Sequence, residues 1–263
     1  MNESELLFSQ VLGCDRVSLY LDKDRRLKKD ESKVIAAALK RRILGEPIQY
    51  ILGKADFMGL SFKVTPSVLI PRPETEVLVE KAIEVVTRHM THDTRLGILD
   101  LGTGSGCIAV SLAKFLPNAK IDALDISEDA LEIARTNAKL NNVKINFKRG
   151  DLFSPCSLEP RAYNLIVSNP PYIVSSEINK LQPEVRYEPS LALNGGRDGL
   201  DFYRRIIKNA PKFLKKHGLL IMEMGFSQAE DLKNIFQNSH KFEIIEVIKD
   251  YNNIERVVVA RKI

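Results

Sequence analysis

The stretch "LDLGTGSGCIAV", Leu99 to Val110, decides the fold. It begins with a short apolar run of the kind found in buried strands, passes through a turn with glycine at 102, 104 and 106, and continues into an apolar helix start. A strand followed at once by a helix is the repeating unit of a parallel α/β sheet. We therefore predict a strand at 96–101 and a helix at 107–116 as the first unit of such a sheet.

The same alternation continues downstream. Strands are predicted at 120–126, 144–150, 163–168 and 218–224, and helices at 128–140, 199–215 and 227–237, with one more helix at 73–89 before the first strand. Two final strands, 241–248 and 254–260, are joined only by "KDYNN", which is too short for a helical crossover. The sequence thus predicts an α/β fold, a mostly parallel sheet with helices on both faces and an antiparallel C-terminal strand pair.

The N-terminal part has a different pattern. Apolar positions within 5–12 and 31–44 predict a small helical bundle. In the second helix the apolar stripe consists of Ile35, Leu39 and Ile43, with Val34 and Ala38 beside it. Residues 54–72 contain short apolar pieces around Gly59, which is typical of a β-hairpin. We divide the chain into a helical substrate-binding domain (1–53), a hairpin linker (54–72) and a sheet domain (73–263).

Composition places the chain among soluble globular proteins. Of its 263 residues 44% are hydrophobic and 28% charged, and no apolar run approaches the roughly 18 residues of a membrane span. The first residues carry no basic segment of the kind that opens a signal peptide, so we expect a cytoplasmic protein. The net charge is +5, and residues 16–45 hold ten Lys/Arg against four Asp/Glu. This favours an acidic partner, nucleic acid or protein, although a solvated helix face explains it equally well.

Cysteine and histidine usage indicates no metal or redox centre. Cys14, Cys107 and Cys156 are far apart and form no Cys-x-x-Cys pair, so we expect them to be reduced and structural. His89 and His92 have helical spacing, but no carboxylate-rich segment completes a site around them. We expect no bound metal.

The glycine-rich turn predicts a nucleotide-like ligand. Alternate glycines permit a tight turn and leave no Cβ between backbone and ligand, and the helix N-terminus that follows offers free N–H groups. The spacing is G-x-G-x-G, whereas dinucleotide sites use G-x-G-x-x-G. Cys107 stands where the third glycine of that fingerprint belongs, which weakens the case for a dinucleotide without excluding it.

The next two strands end in further candidate groups. Asp125 closes the second strand at the distance from the loop where a carboxylate accepts both ribose hydroxyls, and this indicates a ribose without identifying the cofactor. Asp151 and Leu152 close the third strand, where they could provide a polar group and an apolar wall for an adenine. A surface turn with a solvated aspartate explains Asp151 equally well.

The fourth strand of this region ends in "VSNPPYI", Val167 to Ile173. Proline fixes its own φ and forces the preceding residue into an extended conformation, so the Asn169 side-chain oxygen and the Pro170 carbonyl are held as two neighbouring acceptors. Two such acceptors suit one planar NH2 group, and Tyr172 could cover the flat π-system that carries it. Beside a nucleoside-like cofactor, this pocket suggests transfer of a methyl group from S-adenosylmethionine to nitrogen, with S-adenosylhomocysteine as product.

Several blocks together resemble one known family. "ILDLGTGSGCIAVSLA", "ALDIS", "VSNPPYI", "GEPIQYILG", "LIPRPETE" and "EVRYEPSLALNGGRDGLDFYRRI" are similar to the HemK-type protein-(glutamine-N5) methyltransferases that modify peptide chain release factors, over essentially the whole chain. The resemblance implies a class I, Rossmann-like methyltransferase domain after a small helical domain. It also implies that the substrate is the glutamine of a Gly-Gly-Gln loop in a release factor.

The resemblance also assigns roles to individual residues. Gly102 to Gly106 would hold the methionine part of the cofactor, Asp125 the ribose, and Leu152 would face the adenine. The substrate amide would be bound by the catalytic candidates Asn169, Pro170, Pro171 and Tyr172. The full set of cofactor-binding candidates is Asp100, Gly102, Thr103, Gly104, Ser105, Gly106, Asp125, Asp151, Leu152 and Asn169.

Two other functions are consistent with parts of the sequence. An amino methyltransferase acting on adenine N6 or guanine N2 of a nucleic acid would use the same NH2 pocket. The phosphates of that nucleic acid would suit the basic segment. Against it, residues 173–263 are used in completing the sheet and leave no obvious target-recognition domain. The third hypothesis is a cofactor-binding regulatory or scaffold protein whose helical domain does the work.

Overall fold

The computed structural model describes residues 2–22, 24–89, 96–154 and 158–263, and the hypotheses about His92 and Cys156 lie outside this set. The N-terminal helices are α1 (Glu3–Leu12), α2 (Arg16–Leu21), α3 (Lys29–Ile43) and α4 (Ile48–Leu52). Asn2 caps α1 through a reciprocal capping box with Glu5, and Asp15 caps α2. The sequence predicted α1 and α3, whereas α2 and α4 are too short to show a helical period.

The apolar stripe of α3 is buried only in part. Ile35 and Ala38 pack with Leu7 and Ile48 in a small core. Leu39 and Ile43 are 46% and 83% exposed, and Val34 is 53% exposed, so the expectation that these three side chains face the bundle is wrong. The reason is that α1 and α4 cover only one narrow face of α3, and the neighbouring apolar positions have no helix against them.

The predicted hairpin is present. Strands β1 (Lys54–Phe57) and β2 (Leu60–Lys63) pair antiparallel around Met58 and Gly59. Both turn residues have positive φ, 52° and 70°, which is the two-residue turn whose twist matches a hairpin. Phe57 and Phe62 of the hairpin are fully buried and pack edge to face in the main core, so this segment is part of the sheet domain's packing rather than a loose linker.

The larger sheet has seven strands in the order β5-β4-β3-β6-β7-β9-β8. Its elements in chain order are α5 (Pro73–His89), β3 (Gly97–Leu101), α6 (Cys107–Phe115), β4 (Lys120–Asp125), α7 (Glu128–Leu140), β5 (Asn146–Arg149), β6 (Tyr163–Ser168), α8 (Pro183–Arg186), α9 (Ser190–Leu193), α10 (Asp201–Asn209), β7 (Leu214–Glu223), α11 (Ala229–Ser239), β8 (Phe242–Lys249) and β9 (Glu255–Lys262). The first five strands of the sheet are parallel, and β9 runs antiparallel between β7 and β8. The predicted fold class is therefore confirmed.

Helix α10 is shorter than predicted. It ends at Asn209 and is followed by one 3₁₀ turn, Ala210–Lys212, after which β7 begins at Leu214. Pro211 has no N–H to continue the helix and its ring clashes with the preceding turn, so the predicted span 199–215 could not be helical throughout. The loop after β6 also contains a 3₁₀ helix, Ser175–Lys180, and the short helices α8 and α9, none of which the sequence predicted.

The sheet is covered on both faces, as the apolar runs of its central strands require. One face packs against α5, α6 and the hairpin, and the other against α10 and α11. Because the core strands are almost fully buried, polar groups at their carboxyl ends are held in fixed positions. Among the described residues, no helix has both the length and the apolar composition to cross a membrane, and no cluster of His, Cys, Asp and Glu could hold a metal ion.

Candidate active site

A cavity of about 350 Å³ opens at the carboxyl ends of β3, β4, β5 and β6. This edge is where the chain order reverses, because β4 lies on one side of β3 and β6 on the other. Ligands of open α/β sheets bind at such switch points. Of the sequence-predicted residues, the cavity is lined by Gly102, Gly104, Asp125, Asp151, Leu152, Asn169, Pro170 and Pro171.

The glycine loop lines the cavity with backbone atoms, and its first N–H groups are already hydrogen-bonded within the protein. The N–H groups of Gly102 and Thr103 donate to the Leu124 carbonyl, and the N–H of Gly104 donates to Asp125 Oδ2 at 2.8 Å. Gly102 and Gly104 have positive φ, and a Cβ on either would meet no protein atom within 4 Å. These three amides are therefore hydrogen-bonded within the protein, whereas the space beside Gly102 and Gly104 lets a ligand approach the backbone closely. The free N–H groups expected at the N-terminus of α6 stay a prediction.

The third glycine has a packing role. A Cβ on Gly106 would lie 3.0 Å from the Ala134 side chain, so this glycine lets α6 pack closely on α7. Gly106, Thr103 and Ser105 do not line the cavity, and the last two side chains are buried. They shape the loop from behind.

Asp100 lies beneath the loop and is fully buried. Its Oδ2 accepts a hydrogen bond from Thr103 Oγ1 at 2.6 Å, while Oδ1 has no hydrogen-bond partner in the described part of the chain. Burial raises the pKa of this carboxyl to about 7, and the nearby charge of Asp125 adds to the effect. Asp100 does not line the cavity, so its carboxyl supports the glycine loop from beneath.

Asp125 is held at the centre of the cavity wall. Its Oδ2 accepts from the Gly104 N–H and its Oδ1 accepts from the Ser127 N–H at 2.9 Å. Burial raises the pKa of Asp125, and these N–H bonds oppose that shift. Each carboxylate oxygen retains a lone pair, so Asp125 can still accept hydrogen bonds from two ribose hydroxyls.

The outer wall combines apolar surface with one ion pair. Leu152 is 9% exposed and adopts a left-handed conformation, φ 55°, which turns it into the cavity wall. Asp151 Oδ2 is paired with Arg205 at 2.7 Å, and Arg205 also lies over the Phe202 ring. The sequence did not predict that Phe202 and Arg205, from α10, belong to this wall.

Asn169 is anchored by two residues that the sequence analysis missed. Its Nδ2 donates to Thr75 Oγ1 at 3.1 Å, and that hydroxyl donates to Glu223 Oε2 at 2.6 Å. No backbone N–H of the described residues donates a hydrogen bond to the Pro170 carbonyl. Thr75 lies in the first turn of α5 and Glu223 ends β7. A single acid in the otherwise apolar run "GLLIMEM" is the signal that could have indicated Glu223.

Tyr172 lies in a second, smaller cavity of about 80 Å³ that shares Asn169 with the first. Its carbonyl accepts from Gln228 Nε2, and its hydroxyl is 3.5 Å from Glu223 Oε1. A Cβ on Gly195 or Gly225 would come within 3 Å of Tyr172 atoms. The glycines of "LNGG" and "MGF" therefore let the chain pack directly against the Asn-Pro-Pro-Tyr loop.

Arg72 lines the same small cavity. Its guanidinium binds Glu188 Oε2 at 2.7 Å, and Glu188 is 4% exposed. Burial raises the pKa of Glu188, although Arg72 opposes this. The pair fixes the wall of the small cavity that faces Tyr172.

Comparison with known proteins identifies relatives over the whole chain. Residues 1–53 match the PrmC N-terminal domain and residues 76–183 the methyltransferase small domain. The release factor glutamine methyltransferase of Geobacter sulfurreducens is 45% identical over 98% of this chain and 88% of its own, and that of Thermodesulfovibrio yellowstonii is 42% identical over 100% and 92%. A methyltransferase structure from Pyrococcus furiosus matches 89% of this chain and 99% of its own with a TM-score of 0.55 at 19% identity, which supports the fold alone.

Proposed function

Because this chain belongs to the family of release factor glutamine methyltransferases, we propose that it methylates the side-chain amide nitrogen of the glutamine in the Gly-Gly-Gln motif of peptide chain release factors. The methyl donor in this proposal is S-adenosylmethionine. The observation that carries the proposal is the orientation of Asn169, whose Nδ2 is bound by Thr75 so that its oxygen is left for a substrate NH2 group.

The two acceptors act on a weak nucleophile. An amide nitrogen is a poor nucleophile because its lone pair is delocalised into the carbonyl. Hydrogen bonds from its two protons to Asn169 Oδ1 and the Pro170 carbonyl increase the electron density on nitrogen and favour its pyramidal form. The nitrogen gains a methyl group and then loses one proton, which the positively charged product releases readily, so no histidine or cysteine is assigned as a base.

The cofactor is placed in the larger cavity. We assign its ribose to Asp125, its adenine to the wall formed by Leu152, and its methionine part to the loop at Gly102 and Gly104. The open space beside the backbone of these two glycines supports this assignment. When bound, S-adenosylmethionine supplies an electrophilic methyl group. Asn169 lines both cavities, and this supports the placement of donor and amide side by side.

We further propose that the N-terminal domain binds the body of the release factor. Many of its basic side chains are already paired, for example Arg16 with Glu5 and Arg41 with Glu46, so charge alone is a weak basis for this. Ile43 and Leu44, at the end of α3, are 83% and 74% exposed. Exposed neighbouring apolar side chains are typical of protein interaction surfaces.

Replacing Ile43 and Leu44 with serine is expected to raise the KM for full-length release factor about tenfold, because apolar area buried in the complex is lost. The KM for a Gly-Gly-Gln peptide that is too short to reach α3 should not change. Ile245→Ser removes an exposed apolar side chain from β8 and serves as the control. Equal KM values for wild type and double variant on the full-length substrate would contradict this role for α3.

Tritiated methyl incorporation tests the function directly. We expect label in release factor and none when its motif glutamine is replaced. The nucleic-acid alternative predicts label in DNA or RNA, and the scaffold alternative predicts no label in any substrate. Label in nucleic acid alone would overturn the proposal. Since the relatives are bacterial release factor glutamine methyltransferases, we also propose that the enzyme is cytoplasmic.

A further inference from the structure

A buried acid is connected to Asn169 through one hydroxyl. Glu223 is 1% exposed at the end of β7, and Thr75, which binds its Oε2, is 2% exposed. An acid buried to this degree is costly unless it has a specific partner or task. The methyl-transfer mechanism proposed above uses Asn169 and Pro170, and Glu223 has no role in it.

The direction of each hydrogen bond follows from counting protons. Thr75 has one hydroxyl proton, and an ionised Glu223 can only accept, so that proton lies between Thr75 Oγ1 and Glu223 Oε2. The Thr75 oxygen then has only lone pairs for Asn169, so the Asn169 amide must turn its NH2 end toward Thr75. Its oxygen is thereby directed away from Thr75.

Protonation of Glu223 reverses the chain. A proton on Oε2 is donated to Thr75, whose own proton then turns to Asn169 and binds Oδ1. The Asn169 amide would then have to rotate by half a turn, which would expose its NH2 end to the cavities. That end repels a substrate NH2 group, because both are donors.

We propose that Glu223 and Thr75 are positioning residues that set the direction of the Asn169 amide, so that an acceptor faces the substrate only when Glu223 is ionised. This inference deepens the proposed function and rests on it. Neither residue touches the substrate in this proposal, and both act through Asn169.

The surroundings of Glu223 set the pH at which the reversal occurs. The titratable groups that face it are Glu74 on α5, Cys107 on α6, Tyr172, Tyr203 on α10 and Arg256 on β9. Burial raises the pKa of Glu223 to about 7, with Glu74 adding to the shift and Thr75, Arg256 and Tyr172 opposing it. Methyl transfer should therefore increase as the pH rises through about 7.

As the pH rises, the contribution of Glu223 to protein stability should decrease, whereas methyl transfer should increase. Because the folded-state pKa of Glu223 lies above its unfolded value, the folded protein holds this proton more tightly. The stabilisation from Glu223 is complete below the unfolded pKa and is lost as the pH rises through about 7. A fall in activity on acidification consequently cannot be attributed to acid unfolding caused by this group.

Substitutions at Thr75 test the connection. With the full-length enzyme and release factor at pH 8, Thr75→Val is expected to lower kcat about tenfold, because the amide loses its anchor. Thr75→Ser keeps the hydroxyl and should restore the rate. Thr87→Val makes the same change on an exposed position of α5 and should have no effect, since the described partners of that hydroxyl are two carbonyls of its own helix. A wild-type rate for Thr75→Val would overturn the proposal.

The pH profile tests Glu223. At saturating S-adenosylmethionine, so that protonation of Asp100 beneath the glycine loop does not limit the rate, the wild-type rate should fall below pH 7. Glu223→Gln should remove this acid limb, because glutamine cannot titrate. The methyl-transfer rate of Glu223→Gln depends on which end of the new amide faces Thr75, but in either case the rate should not vary with pH in this range. An acid limb that persists unchanged in Glu223→Gln would overturn the role of Glu223.

A spectroscopic measurement separates this inference from the proposed function. In enzyme labelled with ¹⁵N-asparagine, the Asn169 side-chain NH2 signal is identified by its loss in Asn169→Ala. Its shift should titrate near pH 7 in the wild type and not in Thr75→Val. If it titrates but release factor is not methylated, the proposed function fails, whereas the coupling between Glu223 and the Asn169 amide is established. If release factor is methylated but the signal does not titrate, the positioning role fails.

Discussion

Asn169→Ala is expected to lower the rate of release factor methylation by about a hundredfold to a thousandfold, the range observed when one preorganised polar contact to a reacting group is removed. Without the side-chain oxygen, the substrate amide keeps only the Pro170 carbonyl as an acceptor. Its nitrogen is then neither oriented nor made more electron-rich. Single-turnover methyl transfer with saturating cofactor measures this step directly.

The affinity for S-adenosylmethionine should be nearly unchanged in this variant, because Asp125 and the glycine loop are intact. Calorimetric titration of the cofactor checks this point. Asn234→Ala, at an exposed position of α11, is the matched control and should behave as the wild type. Near-normal turnover by Asn169→Ala would show that Asn169 is not the acceptor.

Asp125→Ala is expected to weaken cofactor binding by about a hundredfold, since hydrogen bonds from two ribose hydroxyls to a charged acceptor are lost. The loop should also loosen, because Asp125 accepts the N–H of Gly104 and of Ser127. The dissociation constant measured by calorimetric titration is the direct readout. Turnover at saturating cofactor should be affected much less than affinity.

A nearby aspartate controls for the change in charge. Asp129→Ala removes an exposed acid from the first turn of α7 and does not touch the cavity. Its cofactor affinity should match that of the wild type. If Asp125→Ala and Asp129→Ala bind the cofactor equally well, the ribose is not held by Asp125.

It could be predicted from the sequence that the residues of the main site lie close together. Parallel strands bring their carboxyl ends to one edge, so Gly102, Asp125 and Asn169 had to lie close together once the strands were assigned. Antiparallel pairing of the last two strands followed from the length of their connection. These features depend on local periodicity and on the lengths of connections, and both are present in the sequence itself.

Other features needed the packed structure. Thr75 and Glu223 are 148 positions apart, and nothing local indicates that their side chains meet. The exposure of Leu39 and Ile43 depends on how much of α3 the neighbouring helices cover. The bonded N–H groups of the glycine loop depend on the position of the Leu124 carbonyl in the adjacent strand.

By itself the sequence determined the α/β fold and the edge of the sheet at which the candidate site lies, because both follow from the spacing of apolar residues, glycines and prolines along the chain. Tertiary structure alone decided which end of the Asn169 amide faces outward and how far the pKa of Glu223 is raised. Both depend on partners and burial contributed by distant strands and helices, and burial is a property of the packed chain that no short stretch of sequence contains.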